Sequence, residues 1–132
     1  MITLNLIRDC LDRMGVPSRV NEDGDLVVHL DADDEFGHDV IVLLIVEKGK
    51  RLSFIAGAPE YDPQGDLYYM ANRHNSRRYF PTAVIRNGTV RMEYSFLISE
   101  EVSEEYLRET CLRHTMAAIW TAFSEFEQES IE

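Results

Sequence analysis

The sequence has few cysteines and no long apolar run, and both shortages narrow the class of protein. Only Cys10 and Cys111 are present among its 132 residues. Small secreted domains are usually dense in disulfides, so two cysteines are more typical of a reducing compartment. No apolar run reaches the length of a membrane span, and the first helical segment carries Arg8 and Asp9, unlike a signal peptide. We therefore expect a cytoplasmic protein with no membrane partner and with both cysteines buried as small apolar residues.

Basic residues are also scarce relative to acids. The chain has 24 Asp and Glu against 13 Lys and Arg, which gives a formal charge of −11. Because such a surface repels phosphate groups, we expect no nucleic-acid partner. The apolar share of 45% is ordinary for a folded domain, and the length fits one domain over residues 1–132.

Signatures of catalysis and of cofactor binding are missing as well. There is no Gly-x-Ser-x-Gly turn and no glycine-rich phosphate loop. The four histidines lack zinc-ligand spacing, although His29 and His38 could face each other across adjacent strands as an adventitious metal site. Eight acids lie within residues 22–39 without the ligand spacing of a calcium loop, and we interpret them as solvated loops. We predict a non-enzymatic protein with no cofactor and no metal.

Apolar spacing and capping residues predict three helices. Thr3 can cap the first helix, Asp66 a second of about ten residues that ends near Arg77, and Ser103 a long last helix. The apolar residues of the last helix cover more than half of its circumference. We therefore expect part of this face to cover a sheet and part to meet a second subunit. The polar tail, residues 127–132, is expected to fray.

Five segments are predicted to form a mainly antiparallel sheet: residues 26–30, 40–46, 52–56, 79–85 and 89–97. Segment 40–46 is wholly apolar and rich in β-branched residues, which indicates a central strand covered on both faces or at a subunit contact. Residues 19–21 could also pair with 26–30. Asn87-Gly88 is a strong hairpin turn. The predicted fold is α+β with the order α-β-β-β-α-β-β-α, and its helices pack against the five-stranded sheet.

A positive segment interrupts the acidic chain. Residues 67–92 include five arginines and no acid. We select Asn72, Arg73, Asn75, Arg77 and Arg78, on or just after the second helix, as candidate partner-binding residues. The arginines could hold acidic groups of a partner, or they could pair with acids of their own chain and with the helix C-terminus. Asparagine is a poor helix former, so both amides are expected to bind loop or strand backbone.

The order of elements resembles the YbjN-type proteins, described as sensory transduction regulators, whose fold is similar to that of type III secretion chaperones. The resemblance is most specific at residues 70–75, where two asparagines stand three apart on the second helix. It extends through the hairpin at 80–97 and the Ser-Glu-Glu start of the last helix. It implies an α+β sheet with packed helices, often as a homodimer. Secretion chaperones bind an extended effector segment across a hydrophobic surface.

Two functions of different classes remain open. The first is a protein-interaction module, chaperone-like or regulatory, that binds an acidic or extended protein segment. Its site would be the second helix with the hairpin edge, or the surplus apolar face of the last helix. The alternative is a sensor that binds a small anionic or phosphate-bearing ligand at the same arginines and nearby tyrosines. An enzyme would require a cleft with a strongly shifted carboxylate.

Overall fold

The computed structural model describes residues 1–99 and 101–131 and confirms an α+β fold with an open sheet. The helices are α1 (Leu4–Arg13), α2 (Leu67–Arg77) and a last helix in three consecutive parts, namely α3 (Glu104–Tyr106), a π-helical stretch (Leu107–His114) and α4 (Thr115–Ile131). The strands are β1 (Ser18–Val20), β2 (Leu26–Leu30), β3 (Val40–Glu47), β4 (Arg51–Gly57), β5 (Thr82–Arg86) and β6 (Thr89–Leu97).

The sheet has six strands in the order β1-β2-β3-β4-β6-β5, and every neighbouring pair is antiparallel. The prediction of five strands is therefore wrong, because β1 forms a three-residue edge strand on β2. The Asn21 side chain shapes the turn between them by accepting the N–H groups of Asp23 and Asp25. β5 begins at Thr82, later than predicted, since Pro81 has no N–H to contribute to the ladder.

The local signals that delimit the elements are confirmed. Thr3, Asp66 and Ser103 each accept a hydrogen bond from the backbone N–H three residues further on, at 3.1 Å. These bonds satisfy donors that a helix N-terminus leaves unpaired. The hairpin between β5 and β6 turns at Asn87 and Gly88, whose φ angles are 52° and 76°. Both angles lie in the left-handed region that this turn requires.

All helices share one core with a single face of the sheet, which we call the near face. Alternating strand residues form this face, and nine of them are fully buried: Leu26, Val28, Val40, Val42, Leu44, Leu52, Phe54, Ala56 and Met92. They belong to the same cluster as Leu11 of α1 and Phe123 of α4. Burial of this apolar surface is the main stabilising contribution to the fold.

The last helix buries most of its apolar residues within its own chain. Eight of them are buried: Leu107, Cys111, Leu112, Met116, Ile119, Ala122, Phe123 and Phe126. Tyr106 and Ala117 are exposed. Ala118 and Trp120 are partly exposed. The predicted spread was too wide because the π-helical stretch has more residues per turn than the ideal α-helix assumed. Little apolar surface on this helix is left for a second subunit, and the subunit contact stays a prediction. The helix also continues to Ile131, across most of the segment expected to fray.

Cys10 and Cys111 are buried free thiols, as predicted. Burial raises the pKa of the Cys111 thiol to about 11 and also raises that of Cys10, so both remain protonated near neutral pH.

Within the described part of the chain, no helix has the length and apolarity needed to cross a bilayer.

Candidate functional site

The arginines predicted from α2 all reach acids of α4. Arg77 Nη1 donates to Glu129 Oε1 at 2.7 Å, and Arg73 Nε lies 3.7 Å from the same oxygen. Arg78 donates through Nε and Nη2 to the two carboxylate oxygens of Glu125. That hydrogen bonding, together with the carboxylate charge, raises the pKa of Arg78. We call Arg73, Arg77 and Arg78 the helix arginines. Each is engaged by its own chain.

Asn75 occupies the free edge of β5. Its amide donates to the Ala83 carbonyl at 3.0 Å, and its side-chain oxygen accepts the Ala83 N–H at 2.8 Å. His74 Nε2 donates to the carbonyl of Pro81 at 2.9 Å. The predicted binding of an asparagine amide to backbone is confirmed for Asn75, whereas the side chain of Asn72, also exposed, forms no hydrogen bond with the described residues. A partner strand could not pair at Ala83 without displacing Asn75, so this contact protects the sheet edge.

A surface groove of about 460 Å³ lies between α2 and α4. Its lining includes His74, Arg77, Arg78, Phe80, His114 and Glu125. The fully exposed ring of Tyr79 stands at its rim. The groove presents guanidinium groups that already hold carboxylates, so an anionic ligand would compete with Glu125 and Glu129.

The opposite face of the sheet, which we call the far face, is covered by no helix of the described residues. Strand alternation places seven apolar residues there: Val27, Ile41, Leu43, Ile45, Ile55, Val84 and Leu97. None belongs to the shared core, and all except Val27 are partly or largely exposed. The first five form a continuous apolar band across β2, β3 and β4. A methyl group added at Gly57, on the same face, would meet no heavy atom within 4 Å.

Arginines border this apolar band. The strand register puts Arg19, Arg51, Arg86 and Arg91 on the far face, together with two strand glutamates, Glu47 and Glu93. Arg86 Nε lies 3.8 Å from Glu93 Oε2. Arg19, Arg51 and Arg91 form no ion pair anywhere in residues 1–99 and 101–131, and we call them the face arginines. The strand residues of this face carry a formal charge of +2, which leaves −13 for the rest of the chain.

Sequence reasoning did not group the face arginines, because they lie on three strands that are distant along the chain. Of the three, Arg91 alone was counted in the positive segment, residues 67–92, and it was not selected as a site residue. The alternation in β6, which puts Arg91 opposite Val90 and Met92, was the available signal for one of them. Grouping it with Arg19 and Arg51 requires the strand register, since each pairing decides which side chains share a face. The helix arginines were selected instead because they lie close together in the sequence.

One corner of the far face brings together an imidazole and two carboxylates. His29 Nε2 lies 2.8 Å from Asp39 Oδ2 and 3.7 Å from Asp31 Oδ1. Asp39 also accepts the Ala32 N–H at 2.8 Å, and this bond, followed by that to His29, lowers the pKa of Asp39. Among the described residues this is the one group whose ligand atoms could surround a metal ion, and all three side chains are exposed. His38, which the sequence suggested could face His29 across adjacent strands, instead packs against the ring of Phe36 in the core.

No known family model matches the sequence, and no curated protein matches it. The resemblance to the YbjN-type proteins therefore stays a prediction from the sequence, as do the homodimer and the cytoplasmic location.

Proposed function

We propose that this chain is a non-enzymatic protein-interaction module, chaperone-like or regulatory, whose binding surface is the far face of the sheet. The observation that carries the proposal is the apolar band, which lies on the sheet face opposite the helices and whose residues are outside the core shared by the described elements. Contiguous exposed apolar surface rimmed by polar residues is typical of interaction sites.

The apolar segment in β3 supports this assignment. Four of its seven residues, including Val42 and Leu44, face the core. The other three, Ile41, Leu43 and Ile45, point to the far face, where only a further covering element would remove them from water. A central strand that is apolar on both sides is typical of a sheet covered on both faces. A bound protein segment would supply the missing cover.

The pairing of the helix arginines argues against the first-predicted site. A partner carboxylate would have to displace Glu125 or Glu129, and exchanging one surface ion pair for another gains little. Asn75 is likewise committed to Ala83. We therefore move the proposed surface from residues 72–78 to the far face.

Selection of binders from a random peptide library tests the proposal without assuming a partner. Selected peptides should bind the purified chain, and Gly57→Gln should weaken them about tenfold or more by obstructing the face, equivalent to about 1.4 kcal/mol. Gly37→Gln is the matched control, because Gly37 also has open space around it and an unstrained φ. If Gly57→Gln leaves every selected peptide unaffected, the far face is not the binding surface.

A second candidate function is a sensor for a small anionic or phosphate-bearing ligand. The groove between α2 and α4 favours it, since Arg77, Arg78 and two histidines line the same space. A thermal-shift panel of inorganic phosphate, nucleotides and sugar phosphates tests this candidate. A ligand should raise the melting temperature of the wild type but not of the Arg77→Gln, Arg78→Gln double variant. If no member of the panel shifts the wild type, the sensor function is rejected.

A further inference from the structure

We propose that the partner of the far face is a short protein segment that is apolar in its middle and acidic at both ends. This inference rests on the proposed function of the far face and adds the chemistry of its partner. The face arginines carry it. Arg19 stands beside Val27 at the β1 end of the apolar band, and Arg91 stands on β6 next to Gly57. Arg51 lies near the turn between β3 and β4.

The face arginines differ from most arginines of this acid-rich chain. Apart from the face arginines, Arg8 of α1 is the one arginine of the described residues that has no acid within ion-pair distance. The other arginines each lie within ion-pair distance of an acid: Arg13, Arg73, Arg77, Arg78, Arg86, Arg108 and Arg113. Three unpaired guanidinium groups therefore surround one apolar surface. A neutral apolar partner would remove water from these charges without replacing it, whereas carboxylates would bind them by charge-assisted hydrogen bonds.

The spacing of the arginines sets the length of the segment. From β1 to β6 there are four strand spacings in the sheet order. At about 4.8 Å each, they separate Arg19 from Arg91 by roughly 19 Å, which an extended chain spans with about six residues. Its central side chains would cover Val27, Leu43 and Ile55, which lie in one row that begins at Arg19 and meets Glu93 on β6. Arg91 lies two residues along β6 from Glu93, so the segment would cross this row obliquely. Acidic residues at its two ends would reach the two arginines.

Charge also argues against other occupants. Two copies packed symmetrically through this face would bring together two patches of the same formal charge, +2 each, because an isologous contact repeats the same patch. An anionic membrane would attract the far face, whose strand residues carry a formal charge of +2. It would repel the rest of the chain, whose formal charge is −13. A small acidic segment can bind the face without approaching those other acids.

Three synthetic peptides with the same Leu-Val-Leu-Val centre test the inference. They differ only in their flanking residues, which are glutamate, glutamine or lysine, and fluorescence anisotropy measures their affinity for the full chain. The glutamate peptide should bind about tenfold tighter than the lysine peptide, with the glutamine peptide between them. The preference should shrink at high salt, because screening weakens charge interactions at an exposed rim.

Variants of the chain locate the effect. Arg19→Gln, Arg51→Gln and Arg91→Gln together should remove the preference for glutamate, whereas Arg8→Gln, which deletes the unpaired arginine of α1, should leave it unchanged. Gly57→Glu and Gly57→Arg add side chains of similar reach at one open position. An acidic partner should lose more affinity with Gly57→Glu than with Gly57→Arg.

The outcomes separate this inference from the proposed function. Equal binding of the three peptides, all weakened by Gly57→Gln, would overturn the acidic chemistry and keep the interaction surface. Failure of the glutamate peptide to bind at millimolar concentration would overturn the inference, and if library selection also failed, the proposed function would fall with it. A dimer in light scattering that Gly57→Arg dissociates would make a second copy the occupant. Binding to phosphatidylserine vesicles, lost in the triple arginine variant, would identify a membrane instead.

Discussion

The helix arginines and the face arginines belong to the same acidic chain but stand in opposite electrostatic settings. Arg77 and Arg78 lie beside Glu129 and Glu125, so the positive charges at the end of α2 are balanced by the carboxylates of α4. Arg19, Arg51 and Arg91 stand around an apolar surface and pair with none of the described acids. The helix arginines, which are close together in the sequence, therefore contribute to the fold through their ion pairs. The face arginines, which are dispersed over three strands, are the ones whose charges have no acidic partner among the described residues. What distinguishes the two sets is which acids the fold brings near them.

The openness of the far face can be tested at two adjacent residues of β4. Ala56 is fully buried on the near face, whereas Gly57 faces open space on the other side. Ala56→Gln should lower the free energy of unfolding by about 3 kcal/mol or more, because it overpacks the core and buries an amide. Gly57→Gln should change it by no more than about 0.5 kcal/mol. Urea denaturation measures both, and a comparable loss in the two variants would show that the far face is covered.

The structural role of α2 predicts the next largest effect. Asn75→Ala removes both side-chain bonds to Ala83 and should lower the free energy of unfolding by about 1–2 kcal/mol. Asn72→Ala, on the same helix but with no side-chain hydrogen bond to the described residues, is the matched control and should lie within about 0.5 kcal/mol of the wild type. If the two alanine variants were equally stable, Asn75 would not be what protects the edge of β5.

The helix arginines should affect stability slightly and in a salt-dependent way. Arg77→Gln with Arg78→Gln should lower the urea midpoint by less than Asn75→Ala does, because both arginine side chains are more than half exposed. The difference from the wild type should vanish in high salt as screening removes the attraction to Glu125 and Glu129. A difference that persists at high salt would indicate a packing role for the arginine side chains instead of a charge role.

Much of the fold was predictable from the sequence, and the reasons are local. Thr3, Asp66 and Ser103 cap helices through their own side chains, and Asn87-Gly88 turns the hairpin by its own backbone preference. The errors arose where an element has little local signal. β1 is only three residues long, and the π-helical stretch changes a periodicity that was assumed constant. The far face was not predictable as a site, because the face arginines come together only through the pairing of β1, β2, β3, β4 and β6.

The smallest predicted effect concerns the acidic corner of the far face. The bond from Ala32 and the contact with His29 lower the pKa of Asp39 below its ordinary value of 3.8. A depressed pKa means that the stabilisation is present above pH 3.8 and is lost as pH falls through the folded-state value. Asp39→Asn should therefore flatten the dependence of stability on pH below about pH 4. Asp31→Asn, at a more exposed carboxylate, is the control, and an identical flattening there would contradict this assignment.

The central claim is that the face arginines, and not the helix arginines, bind the partner. The most direct test measures the affinity of the glutamate-flanked peptide for two triple variants of the full chain. We predict that replacing Arg19, Arg51 and Arg91 by glutamine weakens binding about tenfold, while replacing Arg73, Arg77 and Arg78 changes it less than about twofold. The reverse order would contradict the account and return the site to α2.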